Sequence, residues 1–528
     1  MIGPRPMTGI AQRAAEQGWL KWAILFSASF GAILEVIDTS IVNVALPDMQ
    51  GNLGATLSEI GWVSTAYAIA NVVVIPLTAW LGYRFGKKRY FLFSLLAFTL
   101  ASILCGMATN LATLITARVI QGLGGGGLLA KAQSILFETF PPAEHGKASA
   151  LFGMGIITGP AIGPALGGYL TDALNWRWIF FINIPFGILA LAMCSTFLPE
   201  DEPHPNQNNP IDWIGIILLT IGLASFQTFL EQGQQEDWFS SAFICRMAFL
   251  SVVGLSLFVW RELHTPHPAV DLRVLKYKSL AAGSMYSIVL GMGLYGAIFA
   301  VPIFAQTALH FTATKTGLLL IPGALASAVG MIIVGLLSKK VDARILIALG
   351  GIMTAGALYA LSFINPDTGA EQLFWPLIFR GIGSVFMFLP LSIATLGSLP
   401  KKDVPSGSGF FSLTRQLGGS IGIALITTMV VKFQVVHRSE LVGKVDLMNP
   451  AYADRINAAF TAFSASTADP VVARGQALSI IDQSINFQAG LLSYIDTFYI
   501  VAALFIISLP LLLFLKKGTS TAGMDAAH

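Results

Sequence analysis

The chain has 528 residues, of which 55% are hydrophobic and only 11% are charged, and its formal net charge is +3. Soluble globular chains carry about 25% charged residues, so the composition excludes an ordinary soluble protein and predicts one that crosses a membrane several times. So small a net charge says little about partners, because the positions of the charges matter more than their sum.

Continuous apolar segments of about 20 residues, the length that crosses a bilayer as a helix, recur from one end of the chain to the other. Strands of a membrane barrel are about 10 residues long and alternate in hydrophobicity, and these segments do neither. We therefore predict an all-α polytopic membrane protein. In chain order, its fourteen predicted spans are 20–46, 59–82, 90–108, 111–134, 148–170, 177–198, 212–231, 240–260, 281–306, 316–337, 345–364, 373–398, 408–431 and 494–515.

The basic residues between the predicted spans are concentrated in alternate connections, such as 84–89, 261–278 and 339–344. Cytoplasmic loops carry an excess of Lys and Arg, so we expect both termini to be cytoplasmic, as an even number of spans requires. The connection 200–210 should also be cytoplasmic, yet it is acidic. Acidic residues weigh little in this rule, and the predicted orientation stands.

Two pairs of segments indicate an internal repeat. LGYRFGKKRYFL (81–92) resembles LLSKKVDARILI (336–347), and ITARVIQG (115–122) resembles PLIFRGIG (376–383). If the seventh and eighth spans are an insertion, the other twelve divide into two sets of six, which is how the major facilitator fold is built. The predicted units are an N-terminal tail (1–19), a first six-helix bundle (20–198), a linker with two extra transmembrane helices (199–280), a second six-helix bundle (281–515) and a C-terminal tail (516–528).

The longest polar connection, 432–493, lies before the last span and faces outward in the predicted topology. It is rich in Ala, and segments such as NPAYADRINAAFTAF (449–463) favour short helices. It is too polar to cross the membrane.

The first span carries two acids in AILEVIDTSIVNVALP (32–47). At 3.6 residues per turn, Glu35, Asp38, Thr39 and Asn43 fall on one face of the helix. A charged side chain at the bilayer centre costs about 2.5–3.5 kcal/mol on insertion scales, so these acids should face a cavity or a partner. Low dielectric disfavours an ionised carboxyl and a nearby cation favours it. A carboxyl between these two influences can exchange protons.

We therefore predict that Asp38 couples transport to protons. The alternative is a static ion pair that holds two helices together. Glu35 is a weaker candidate for coupling or for binding substrate charge, since it lies near one end of the polar face and could only line the cavity.

Arg118, in ITARVIQGLGGGG (115–127) of the fourth span, is the expected partner of these acids, because an arginine cannot be neutralised by deprotonation. Gln121 lies on the same helix face. The alternative is a snorkelling or structural arginine. Arg380 occupies the matching place in the second half and Arg415 lies near the start of the thirteenth span, although repeat symmetry alone could preserve both. The candidates for the substrate cavity are Thr39, Asn43, Gln121, Arg380 and Arg415.

The fifth span contains GIITGPAIGPALGG (155–168), in which glycines recur at every fourth residue. Small residues at this spacing let another helix approach closely, and prolines bend a helix. The plain interpretation is a tight helix contact, and the sharper one is a hinge and seal that controls leak. The residues concerned are Gly155, Gly159, Pro160, Gly163, Pro164 and Gly167.

The cluster RFGKKR (84–89) is a basic loop whose spacing differs from that of a phosphate-binding loop. No ATP-binding, metal, dinucleotide or nucleophile–base motif stands out in the sequence, so we expect neither an enzyme nor a cofactor or metal. Energy for uphill transport must then come from an ion gradient.

Together these motifs resemble the fourteen-span drug:proton antiporters of the major facilitator superfamily, of the EmrB and QacA type. IDTSIVNVALP (37–47), RVIQGLGGG (118–126), GIITGPAIGPALGGYL (155–170) and NWRWIFFINIPFG (175–187) match family signatures. The resemblance places the embedded acid of the family on Asp38 and the arginine associated with proton transfer on Arg118. It also identifies the glycine–proline segment as the exporter motif of the fifth span.

The loop motif after the second span departs from the family pattern, because Ala79 and Tyr83 stand where Gly and Asp are usual. The gating role of that Asp cannot be carried over. Arg84, Gly86 and Lys87 remain, and we expect them to clamp the cytoplasmic side. Glu35 is a second departure, because relatives can hold an uncharged polar residue there.

The resemblance implies an exporter of the inner membrane that exchanges protons for amphipathic small molecules. It also implies a periplasmic adaptor of the HlyD or EmrA type and an outer-membrane channel, and no nucleic-acid partner. Two alternatives stay open: an exporter or importer dedicated to one metabolite, such as a siderophore or fatty acid, and a receptor or scaffold on the same fold that transports nothing.

Overall fold

The computed structural model describes residues 9–201, 207, 209–307, 309, 311–365, 368–445, 450–465 and 469–515. These residues form helices and their connections, and none of them lies in a β-strand. The first half comprises α1 (Gly9–Glu16), α2 (Leu20–Leu53), α3 (Leu57–Val74), α4 (Thr78–Phe85), α5 (Lys87–Gly106), α6 (Leu111–Gly125), α7 (Leu128–Thr139), α8 (His145–Ala173), α9 (Trp178–Phe181) and α10 (Asn183–Phe197). The linker forms α11 (Trp213–Gln232) and α12 (Ala242–His264). The second half comprises α13 (Lys278–Thr307), α14 (Ala313–Leu337), α15 (Ala343–Leu361), α16 (Ala370–Leu396), α17 (Val404–Gly443), α18 (Pro450–Ser464) and α19 (Pro470–Ser508).

Eleven helical segments of the described residues are long and apolar enough to cross a membrane, and twelve are if the bent helix α8 counts as one span. Each of the fourteen predicted spans falls on helical residues, but two do not meet this test. The predicted fourth span is divided into α6 and α7, and the predicted ninth span is α13. The all-helical class is confirmed, whereas the count of fourteen stays a prediction.

The break between α6 and α7 has a packing reason. Gly126 lies so close to α3 that a Cβ atom there would stand 2.7 Å from the carbonyl oxygen of Asn71. Only glycine allows two backbones to approach this closely. The glycine run that follows Arg118 therefore presses α6 against α3 and positions the arginine.

The two halves contact each other along α8 and α14. A Cβ atom on Gly146 would lie 2.8 Å from the carbonyl oxygen of Gly335, and one on Gly317 would lie 2.5 Å from the Cα atom of Ala165. These contacts stand at opposite ends of the two helices, so the pair is closed over its length. Further contacts between the halves join α17 to α7, α4 and residues 75–77, and α16 to α8.

The structure corrects the predicted connection 432–493. α17 has 40 residues and α19 has 39, so both continue well beyond the predicted span limits at 431 and 494. A helix of this length measures about 60 Å, twice the roughly 30 Å of the hydrocarbon core. The short helix predicted around 449–463 is present as α18, which packs on α19. The apolar segments end near residues 431 and 494, whereas the helices continue beyond them, so hydrophobicity alone could not predict the helix ends.

Candidate functional site

Asp38 of α2 and Arg118 of α6 form an ion pair inside the first half. The Nη1 atom of Arg118 donates to Oδ2 of Asp38 over 2.6 Å, and the two side chains are 1% and 0% exposed. Arg118 is also held by the carbonyl oxygen of Val63, which accepts from Nε at 3.1 Å, and by the ring of Tyr67, whose centroid lies 4.0 Å from Cζ. The predicted partners are thus in direct contact.

Neutral amide donors complete the surroundings of Asp38. Gln121 and Asn183 each donate from their side-chain nitrogen to Oδ1 of Asp38, both at 2.9 Å. Gln121 also accepts from Nη1 of Arg118 at 2.6 Å and donates to the Ser102 hydroxyl at 2.7 Å. Gln121 is fully enclosed in this network beside the ion pair, and its contribution to a substrate cavity stays a prediction.

Asn183 and Ser102 were not among the residues predicted for the site. Asn183 lies in NWRWIFFINIPFG, a segment quoted above only as a family signature. An amide inside an apolar span is the signal that could have identified it, because a buried polar group needs a hydrogen-bond partner. Ser102 sits among small and apolar residues of α5, and nothing in the sequence singles it out.

Glu35 has surroundings of its own, separate from the ion pair. Asn71 donates to its Oε1 at 2.8 Å, and the backbone nitrogen of Leu129 donates to its Oε2 at 2.9 Å. The side chain is buried, and its hydrogen-bond donors are neutral. The two acids predicted on one helix face therefore occupy two different sites, one with a cation in contact and one without.

The remaining cavity candidates do not form one cluster. Thr39 is half-buried and donates to the carbonyl oxygen of Val36 at 2.7 Å. Asn43 is exposed and accepts from the Ser64 hydroxyl at 3.0 Å. In the second half, Arg415 is 2% exposed, and its guanidinium lies 5.4 Å from the centroid of the Phe388 ring.

Arg380, the counterpart of Arg118 in the second half, forms no ion pair with an acid in the part of the chain that the structure describes. Its Nε atom is buried without a hydrogen-bond partner among the described residues, as is the Nη1 atom of Arg415. The repeat thus reproduces the arginine but not the ion pair.

The glycine stripe of α8 lies against α2, the helix that carries Asp38. A Cβ atom on Gly159 would stand 3.1 Å from Cγ1 of Val36, and one on Gly167 would stand 2.8 Å from the carbonyl oxygen of Ile41. Gly155 and Gly163 contact α2 in the same way. A bend of 43° separates Pro142–Pro160 from Ile162–Ala173, and Pro160 and Pro164 lie at this bend. The predicted close helix contact is present; the role as a seal stays a prediction.

We expect Gly167→Leu to abolish transport or to reduce the yield of folded protein strongly. The carbonyl oxygen of Ile41 belongs to a helix backbone and cannot move aside, and overpacking of this kind costs about 1–3 kcal/mol. The measurement is transport together with detergent-solubilised yield. Gly356→Leu on α15 is the matched control, since a Cβ atom there has nothing within 4 Å. Normal transport by the Gly167 variant would mean that the two helices do not need this contact.

The basic loop 84–89 marks one end of the helices, which we call the basic end. Arg84 donates to the carbonyl oxygens of Gln207 and Asn209 at 2.5 and 2.9 Å. Gly86 has φ +93°, and the Asp201 carboxylate lies against it and accepts from the backbone nitrogens of Lys88 and Arg89 at 2.7 and 3.0 Å. A carboxylate stabilises the start of a helix through such bonds. Asp201, Gln207 and Asn209 of the acidic connection thus contact the basic loop.

Two further contacts tie the basic end together. Lys87 pairs with Glu138 of α7. Tyr83, which stands in the place of the usual Asp, donates its hydroxyl hydrogen to the carbonyl oxygen of Lys402 at 2.9 Å. Since Lys402 precedes α17, this bond joins the two halves where α4 meets α17. At position 83 the two halves are therefore joined by a neutral hydrogen bond, because a tyrosine cannot make the charge interaction of an aspartate.

The site contains a buried acid that can change charge and a cation that cannot. Protonation of Asp38 would remove the charge attraction that holds α6 to α2, and its amide donors would then face a neutral carboxyl. Among the described residues, no group of three or more His, Cys, Asp or Glu side chains is placed to hold a metal ion. The arrangement is suited to binding and releasing a proton with movement of helices.

Comparison with known proteins identifies the family of the chain. The model of the Major Facilitator Superfamily matches residues 28–423. The Multidrug export protein EmrB of Escherichia coli K12 is 35% identical over 498 residues, which cover 94% of this chain and 95% of the relative. The Fatty acid resistance protein FarB of Neisseria gonorrhoeae is 30% identical over 504 residues, covering 96% and 97%.

A third relative is the Colistin resistance protein EmrB of Acinetobacter baumannii, which is 28% identical over 499 residues, covering 94% of this chain and 96% of the relative. Among solved structures, the human organic anion transporter MFSD10 (TETRAN) superposes with a TM-score of 0.60 over 93% of this chain and 99% of its own. At 13% identity this likeness concerns the fold alone. The chain therefore belongs to the Major Facilitator Superfamily and, within it, to the EmrB-type transporters.

Proposed function

We propose that this protein is a proton-coupled exporter of amphipathic small molecules. The observation that carries the proposal is the fully enclosed ion pair of Asp38 and Arg118, with Gln121 and Asn183 as further donors to the same carboxylate. An unneeded charge inside a membrane span would be costly. The relatives named for multidrug export, colistin resistance and fatty acid resistance support an export function.

The ion pair supplies a reason for coupling. With Asp38 ionised, three donors, Arg118, Gln121 and Asn183, hold α2, α6 and α10 together through one carboxylate. A proton on Asp38 leaves Arg118 without its counter-charge, and the first half must then rearrange around the arginine. Because a buried pair that loses one charge is unstable by about 3–5 kcal/mol, protonation has enough free energy to favour a second conformation.

The gradient is sufficient for uphill export. One proton that moves inward through 100 mV releases about 2.3 kcal/mol. This free energy supports a concentration ratio of roughly 50 for a neutral substrate, before any contribution from the pH difference.

We assign the protein to the inner membrane with both termini and the basic end in the cytoplasm. In this orientation the Tyr83–Lys402 bond and the Arg84 contacts close the cytoplasmic side, while α8 and α14 hold the halves together along their length. These contacts of Tyr83 and Arg84 would have to break for substrate to enter from the cytoplasm or the inner leaflet.

Uptake into inverted membrane vesicles tests the proposal. Vesicles that contain the protein are acidified inside, and accumulation of a fluorescent amphipathic cation is followed with and without an ionophore that collapses the proton gradient. We expect accumulation that stops when the gradient collapses. Accumulation that continues after the gradient has collapsed would contradict proton coupling. If no compound of a broad panel accumulates, a receptor or scaffold becomes the better interpretation.

A second candidate function is export of one amphipathic acid, such as a fatty acid. The observation that favours it is the pair of arginines in the second half, Arg380 and Arg415, each with a buried nitrogen that has no hydrogen-bond partner among the described residues. An anionic head group would satisfy such donors. A panel that contains fatty acids beside cationic and neutral drugs separates a dedicated exporter, which responds to one class, from a broad one.

We further propose that the end formed by α18 and the extensions of α17 and α19 meets a periplasmic adaptor, which would lead to an outer-membrane channel. Arg438 binds Asp482 and Asn486 at 2.7 Å each and ties the two extensions together. Transport itself needs no such extension, and a passive cover over the cavity is the alternative.

We expect replacement of residues 444–469 by a short Gly/Ser linker to leave proton-driven uptake into inverted vesicles intact and to reduce resistance of whole cells. The deletion removes α18 but keeps the Arg438 contacts, so the spans should fold. The measurement is co-purification with the adaptor, and Arg438→Ala with α18 retained is the control for loosened extensions. Wild-type capture of the adaptor by the shortened protein would leave the passive cover as the better explanation.

A further inference from the structure

The first inserted helix, α11, lies between the two halves and is bonded to both. Gln232 donates to the hydroxyl of Thr65 on α3 at 3.1 Å, and Gln227 donates to the hydroxyl of Ser420 on α17 at 2.7 Å. Both glutamines are buried. Trp238, in the turn that follows α11, donates to Thr428 of α17 at 3.1 Å. The inserted helix is therefore part of the junction between the bundles.

This junction contains a carboxyl group that the proposed mechanism does not use. Glu231 lies in the last turn of α11, at the end opposite the basic end, and its Oε1 accepts from Nε2 of Gln227 at 2.9 Å. The Ser420 hydroxyl is a second hydrogen-bond partner of the carboxylate. We call Gln227, Glu231 and Ser420 the α11 carboxyl cluster.

The cluster has no counter-charge. No ion pair joins Glu231 to a basic group in the part of the chain that the structure describes, and its recorded hydrogen-bond partners, Gln227 and Ser420, are neutral. The titratable or charged groups on the elements around it are Glu59 and Tyr67 of α3; Arg415, Lys432, His437, Arg438 and Glu440 of α17; Cys245, Arg246, Arg261, Glu262 and His264 of α12; and Glu236 and Asp237 of the turn that follows α11. Several of these are engaged elsewhere: Glu59 with Thr56, Arg246 with the carbonyl oxygen of Ala242, and Glu236 with Ser241.

The side-chain oxygen of Gln227 also lacks a hydrogen-bond donor among the described residues. Gln227 is 0% exposed, and its Nε2 atom donates twice. A buried acceptor without a donor is unfavourable by about 1–3 kcal/mol. An ionised Glu231 can only accept, whereas a protonated one carries an O–H group that can donate. A half-turn of the Gln227 amide would then bring its oxygen to that donor.

We propose that Glu231, Gln227 and Ser420 form a second proton-binding site of this transporter, located between the inserted helix and the second bundle. The proton binds to the carboxylate of Glu231 and no other bond changes. Its arrival satisfies the oxygen of Gln227 and weakens the Gln227–Ser420 bond that ties α11 to α17. The site therefore links the protonation state to the attachment of the inserted helix. The effect on transport rests on the proposed function, whereas binding of the proton does not.

Infrared difference spectroscopy of the reconstituted protein tests proton binding without substrate. A protonated carboxyl has a carbonyl stretch separate from the amide bands, and exposed acids are ionised well below neutral pH. We expect a band that changes with pH in wild type, that disappears in Glu231→Gln and that persists in the control Glu236→Gln, whose side chain is exposed. Glu231→Gln keeps an amide in place of the carboxyl, so it should fold. An identical band in Glu231→Gln would overturn the proposal.

The pH dependence of uptake into inverted vesicles tests the link to transport. We expect Glu231→Gln to retain transport but to lose one inflection of the wild-type profile, and Ser420→Ala to shift that inflection. An unchanged profile in Glu231→Gln would overturn the link. Failure of the proposed function is distinct, because wild type would then show no gradient-driven uptake, while the infrared band of Glu231 would still be present.

Discussion

Asp38→Asn is expected to abolish proton-driven efflux while the protein still inserts and folds. Asparagine has nearly the shape of aspartate and keeps one oxygen that can accept, but it cannot take up a proton in the relevant range. Arg118 loses its counter-charge, which is destabilising. It keeps the carbonyl oxygen of Val63, the oxygen of Gln121 and the Tyr67 ring, and these contacts should preserve the fold.

The measurement compares two modes of transport in proteoliposomes. Active efflux under an imposed pH gradient should be lost in Asp38→Asn, whereas exchange of labelled for unlabelled substrate without a gradient should continue, since exchange requires no net proton movement. Glu35→Gln is the matched control, because that acid is also buried on α2 but has only neutral hydrogen-bond donors. Gradient-driven efflux at the wild-type rate in Asp38→Asn would show that another group carries the proton.

The ion pair could be predicted from the sequence because its physical signal is strong. An acid in the first apolar span and an arginine in the fourth are each unfavourable in lipid, so they must form an ion pair or face a polar cavity. The neutral members of the network have no such signal. A serine such as Ser102 is tolerated almost anywhere in a helix, and only the fold brings it within 2.7 Å of Gln121.

The acidic residues of the connection 200–210 make contacts that the sequence could not predict for a different reason. Counted as charges along the chain, its acids contradict the expected excess of basic residues on that side. In three dimensions Glu200 binds Lys88 at 2.7 Å and Asp201 binds the start of α5, so these acids are partners of the basic loop. A rule based on composition cannot foresee this pairing, which depends on contacts more than 100 residues apart.

The contacts of Tyr83 and Glu231 also could not be predicted from the sequence. The sequence showed that Tyr83 could not act as the usual Asp, but not that its hydroxyl reaches the start of α17 in the second bundle. Glu231 lies at the boundary of a predicted span, where an acid can be an ordinary surface residue. Only the position of α11 between α3 and α17 makes it a half-buried group.

The second large effect is expected for Arg118→Met, which removes the cation and keeps the length and apolar volume of the side chain. Asp38 then retains the amide donors of Gln121 and Asn183 but no counter-charge. Breaking a buried ion pair from one side is destabilising by about 3–5 kcal/mol. An uncompensated carboxyl in low dielectric also holds its proton more tightly, so transport should require higher pH or stop altogether.

The double variant Asp38→Asn/Arg118→Met distinguishes a structural arginine from one that serves coupling. Removing both charges eliminates the isolated charge that destabilises each single variant, so the double variant should be more stable than Arg118→Met, and the coupling free energy of the mutant cycle reports the contact. Thermal stability in detergent measures the structural contribution of the pair, and gradient-driven efflux measures its contribution to proton coupling. If the pair only held α2 to α6, restored stability would restore efflux. If Asp38 carries the proton and Arg118 makes its release possible, the double variant will be stable and still inactive, because nothing in the first half then changes charge at this position.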